Sequence, residues 1–100
     1  MSRAALGVAL RDARLAAGLT QAEVARAAGV DHSYLSHLES GRRTPSRAVL
    51  VLMLEAFGVG VDVVEYVRGV AGDGVSDALA KYVVRVLHLG SYDRRAPVRE

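Results

Sequence analysis

Apolar residues recur every three or four positions along most of the chain, and glycines interrupt the recurrence at short intervals. Leu6, Leu10, Ala13 and Ala17 form a first helical stripe, which Gly18 stops. Thr20-Gln21-Ala22-Glu23 then has the form of a capping box: the Thr20 hydroxyl can accept from the Glu23 N–H while the Glu23 carboxylate reaches back. It opens a short second helix that Gly29 ends. Asp31 is suited to cap a third helix, about His32 to Glu39, whose apolar positions are Leu35 and Leu38; Gly41 closes it. Arg42 to Pro45 reads as a basic loop. Ser46 caps a fourth helix with Leu50, Met53, Leu54 and Phe57 as its buried stripe, broken by Gly58 and Gly60. Val63, Val64 and Val67 mark a fifth, Val61 to Val70.

Residues 71–74 (Ala-Gly-Asp-Gly) read as a turn or short linker. Beyond them Val75, Leu79, Tyr82, Val86 and Leu89 alternate by four and three, a helical seam. The run Tyr82 to Leu87 is β-branched enough for a strand, but the seam favours a helix. The pattern therefore predicts an all-α chain: a five-helix domain over 1–70, a C-terminal helix over 75–90, and a basic tail over 91–100.

Composition narrows the function classes. The 100 residues suffice for one small domain, and 51% hydrophobic content supports a packed core. No cysteine is present, which removes disulfides, thiolate metal sites and cysteine nucleophiles. His32 and His37 lie five apart, about 140° around a helix, and so do not share a face as a metal-binding pair would. No phosphate-binding glycine loop or serine-nucleophile motif occurs, and Asp31-His32-Ser33 are mere neighbours, so neither an enzyme nor a cofactor is expected. The longest apolar run, Ala48 to Leu54, is too short for a bilayer. Arg11-Asp12 interrupts the N-terminal apolar stretch, so a signal peptide is not expected and a cytoplasmic location is. The net charge is only +2, but it is unevenly spread. Arg42, Arg43 and Arg47 fall with no acid between Glu39 and Glu55, and Arg94, Arg95 and Arg99 crowd the tail.

The stretch from Gln21 to Ser40 has the spacing of a nucleic-acid reader. Ala25 is small where two steeply crossed helices must approach, Gly29 permits a left-handed turn, and Val24, Val30, Leu35 and Leu38 can fill the wedge. His32, Ser33, Ser36 and His37 are left for the outer face of the third helix. Leu6-Gly7 through Val59 resembles the Cro/repressor (XRE-like) helix-turn-helix family, whose fold is that of lambda repressor. The resemblance rests on Leu10-Arg11-Asp12-Ala13-Arg14, Gly18-Leu19-Thr20-Gln21-Ala22-Glu23-Val24-Ala25, Tyr34-Leu35-Ser36, Glu39-Ser40-Gly41-Arg42-Arg43-Thr44-Pro45-Ser46 and Phe57-Gly58-Val59.

That resemblance implies sequence-specific binding of double-stranded DNA as a transcriptional regulator, a repressor above all, with the third helix in the major groove. It implies base contacts from His32, Ser33 and His37. Backbone contacts are implied from Gln21, Tyr34, Ser36, Arg42 and Arg43, with Arg47 added from its place in the basic stretch. It also implies an internal ion pair between Arg14 and Glu39. The family often carries Gln, Arg or Asn where this chain has two His and a Ser, and a Ser or Thr cap where it has Gly60. Two other readings use the same fold: an antitoxin of a toxin–antitoxin pair, and a protein–protein interaction module. The first would need a toxin-binding segment, for which the piece after Gly74 could serve as the contact to a protein partner. One recognition helix reads few base pairs, so a homodimer is expected, held by residues 75–90 with Val64 and Val67 as contributors.

Overall fold

The computed structural model describes residues 2–89, and these form six α-helices: α1 (Ser2–Ala16), α2 (Gln21–Ala28), α3 (His32–Glu39), α4 (Arg47–Phe57), α5 (Val61–Gly69) and α6 (Asp77–Leu89). No strand occurs among the described residues. The basic tail expected over 91–100 lies outside them.

Local chemistry accounts for most helix ends. At α2 both halves of the Thr20–Glu23 capping box form, with N–H to oxygen distances of 3.0 and 2.8 Å. The Ser46 hydroxyl accepts from Val49 N–H at 3.1 Å and starts α4. Asp31 behaves differently from its sequence expectation. Its backbone is extended and its carbonyl accepts from Leu35, but its side chain makes no capping bond. Gly29 at φ 70° and Gly58 at φ 83° take the left-handed conformation that ends α2 and α4. The start of α6 carried a signal that the apolar pattern passed over: the Ser76 hydroxyl accepts from Leu79 N–H at 3.1 Å, so the helix begins at Asp77, not at Val75.

One core joins all six helices. Its fully buried members include Leu6 and Leu10 of α1, Val24 of α2, Leu35 and Leu38 of α3, and Leu50, Met53, Leu54 and Phe57 of α4. Val67 of α5 and Val83 of α6 complete it. The tightest helix contact is at Gly7. A β-carbon there would sit 2.6 Å from the Leu38 carbonyl oxygen and 2.7 Å from that of Glu39, so α1 and α3 meet backbone to backbone. This contact sets the depth at which α3 is seated.

The C-terminal segment is the helix that the seam favours, and its buried row joins Leu79 and Val86 of that seam to Ala80 and to Val83 and Leu87, which widen the face, all packed mainly on α1. Tyr82 is half-buried and Leu89 is 72% exposed. The apolar face of α6 is wide enough to hold several four-and-three series, and the packing partner selects the one centred on Val83. The β-branched run is no obstacle, because burial outweighs a small propensity deficit. Val64 and Val67 are likewise buried in the chain's own core. The 71–74 segment is tied down as well: the Asp73 carbonyl accepts from Arg47 N–H, at the first turn of α4, at 2.8 Å.

Candidate nucleic-acid interface

The α2–turn–α3 unit is fixed from behind. Val30 N–H donates to the Ala25 carbonyl at 3.0 Å, closing the turn around Gly29. Ala25 and Ala28 are buried, and their small side chains allow α2 and α3 to cross closely. Leu35 and Leu38 bury the inner face of α3, which leaves His32, Ser33 and Ser36 exposed and Tyr34 and His37 half-buried. His32, Ser33 and Ser36 therefore lie away from the two leucines, while Tyr34 packs partly against the core, on one short helix whose position is set by core packing.

The basic residues sort into two places. Arg42 and Arg43 are exposed in the loop after α3, and the His37 carbonyl accepts from both of their backbone N–H groups, at 2.9 and 3.2 Å. The Arg43 guanidinium lies 5.1 Å from the centre of the Tyr34 ring, a cation–π contact that holds it beside α3. Arg3, which the pattern of residues did not single out, joins this group: its guanidinium donates to the Arg42 carbonyl at 3.2 Å. Only tertiary folding brings the start of α1 to the loop, so no local signal marked it. Arg47 goes elsewhere. It lines a cleft of about 570 Å³ with Ala48, Val51, Leu52, Arg68 and Asp73, and its buried Nε has no hydrogen-bond partner. Arg68 is gripped by Glu55 at 2.9 Å and Glu65 at 3.2 Å, and these carboxylates, Glu55 foremost, raise its pKa.

A polar chain runs through the base of the unit. Arg14 Nε donates to Glu39 Oε2 at 2.7 Å and Nη2 to Oε1 at 3.1 Å, a two-pronged pair with side chains only 10% and 4% exposed. Arg14 Nη1 adds a bond to the Leu19 carbonyl at 2.9 Å, which ties α1 to both the α1–α2 turn and the end of α3. Gln21 Nε2 donates to Glu39 Oε1 at 2.9 Å, and Gln21 Oε1 lies 2.7 Å from His32 Nε2. The Gln21 amide is thus engaged at both ends within the chain. Its sequence neighbours gave no hint of this, since its partners lie 11 and 18 residues away.

Chemically, the surface offers a polar helix face flanked by exposed guanidinium groups. Among the described residues no group of three or more His, Asp or Glu is arranged to hold a metal ion, and no helix is long and apolar enough to cross a membrane. Compared with known proteins, residues 5–67 match the family model described as a helix-turn-helix domain. No curated protein and no solved structure gives a significant match. The family match takes in α2, its turn and α3 together with most of α1, all of α4 and most of α5, well over half of the chain; the protein belongs to the helix-turn-helix domain family.

Proposed function

We propose that the protein binds double-stranded DNA sequence-specifically, as a transcriptional repressor of the Cro/repressor type, with α3 in the major groove. The observation that carries this reading is the two-sided character of α3. Its inner face is locked by buried Leu35 and Leu38, while His32, Ser33 and Ser36 stand exposed beside the exposed Arg42 and Arg43. A rigid polar helix flanked by fixed cations can take its register from phosphates and its specificity from base edges. His32, Ser33 and His37 are the base-facing set. Arg42, Arg43, Tyr34, Ser36 and the N-terminus of α2 at Gln21 face the backbone. Arg47, at the start of α4, is a further phosphate ligand that must first leave its cleft.

The binding unit is a pair of chains, because one eight-residue helix reads too few base pairs for strong specificity. Since α6 spends its inner row on α1, pairing falls to its outer side. There Tyr82 packs against Tyr66 of α5 at 4.8 Å between ring centres, and Leu89 lies two helical turns beyond Tyr82.

Selection of binding sites from a random duplex library tests the reading. A two-fold-related consensus is expected. Two exposed loop arginines per chain give four in the pair, and the logarithm of affinity should fall against the logarithm of salt with a slope of about −4. A library that yields no consensus would reject sequence-specific reading, and a flat salt response would reject DNA binding.

A further inference from the structure

We propose that His32 meets its base through Nδ1 as a hydrogen-bond acceptor, because the polar chain beneath α3 fixes which ring nitrogen carries the proton. The inference rests on the DNA-reading role of α3 and adds to it the chemistry of one contact.

The argument starts at the buried end. The Arg14 guanidinium can only donate, and it meets both oxygens of Glu39, so Glu39 is a carboxylate with accepting oxygens only. The Gln21 atom 2.9 Å from Glu39 Oε1 must then be the amide nitrogen. That settles the amide orientation, and the Gln21 oxygen faces the ring 2.7 Å away. A carbonyl oxygen has no hydrogen to give. The N–H in that contact belongs to His32 Nε2. A neutral imidazole has one N–H, so Nδ1 keeps its lone pair. His32 is exposed at the first turn of α3, and Nδ1 is the ring's remaining polar atom.

The consequence is a rule for one position of the binding site. In the major groove, adenine N6 and cytosine N4 donate, whereas guanine N7 and O6, adenine N7 and thymine O4 accept. Neutral His32 therefore selects an amino base, adenine or cytosine, on the strand it faces. The Glu39–Arg14 pair of α3 and α1 is linked to the ring through the uncharged Gln21 of α2.

The test uses the full chain in two measurements. Imidazole nitrogen NMR of the free protein, at about pH 8, should find His32 protonated at Nε2 and bare at Nδ1. Binding-site selection is then run at the same pH. The His32 position is identified as the one that loses discrimination in His32→Ala. There, about tenfold preference for amino over keto bases is expected. Gln21→Ala releases the ring and should abolish the discrimination at that position while the other positions keep theirs. A keto base chosen at the His32 position, an Nδ1–H tautomer, or unchanged discrimination in Gln21→Ala each overturns the proposal while leaving DNA binding intact. No enrichment of any sequence would overturn sequence-specific reading, and this rule with it.

Discussion

Glu39→Ala should destabilise the fold severely although it removes no apolar contact of the core. Glu39 is a buried residue of α3 that receives Arg14 Nε at 2.7 Å, Arg14 Nη2 at 3.1 Å and Gln21 Nε2 at 2.9 Å. Truncation strands two N–H groups of a buried cation, and only Nη1 keeps its partner, the Leu19 carbonyl. Breaking a buried pair from one side costs about 3–5 kcal/mol. A domain of this size holds about 5–15 kcal/mol in all, so the variant should sit near the edge of folding. With about 4–8 °C of melting temperature per kcal/mol, the midpoint should fall by at least about 12 °C. Thermal and urea unfolding followed by circular dichroism measure this directly. The paired replacement Arg14→Met with Glu39→Met should recover most of the loss, because no uncompensated charge remains. A single variant within about 0.5 kcal/mol of wild type would refute the reasoning, since half a kcal/mol is what an exposed pair contributes.

Other consequences can be checked separately. Gly7→Ala should lower stability by about 1–3 kcal/mol in thermal melts, because its β-carbon would meet two backbone oxygens of α3; in an uncrowded helix the same change is favourable, so a stabilised variant would disprove the close contact. Arg42→Ala and Arg43→Ala should each weaken binding to all sequences alike and, in the pair, reduce the salt slope by about 2, as read by anisotropy titration. Ser33→Ala and His37→Ala should instead alter base preference, by about 1–3 kcal/mol per contact, in the selected consensus. Tyr66→Glu should leave the monomer folded and shift it from pair to single chain in sedimentation, whereas truncation after Gly74 should unfold part of the protein by uncovering the α1 face that α6 protects; an unchanged sedimentation profile for Tyr66→Glu would move the interface away from the α5–α6 patch.

Several features of this protein are decided within four or five consecutive residues, and those were legible in the sequence. The capping box at Thr20, the Ser46 cap and the left-handed glycines at 29 and 58 depend on bonds between near neighbours, whatever the rest of the chain does. The all-helical character follows from the same local terms joined to apolar spacing. The Arg14–Glu39 pair was suggested only through family resemblance, because nothing in the spacing of two residues 25 apart requires them to meet.

Tertiary structure decided the rest. Which row of α6 is inside depends on the shape of α1, and a face wide enough for several rows cannot choose among them alone. Arg3 comes to the basic loop, and Arg47 leaves it for a cleft, because the ends of α1 and α4 are placed by helix packing and not by charge. The Gln21 amide has no preferred orientation in an isolated helix. It acquires one when α3 brings a carboxylate to one end and an imidazole to the other. Local hydrogen bonds are written into a short stretch of chain, whereas the partner of a side chain many residues away is set only once a shared core has fixed the distance between them.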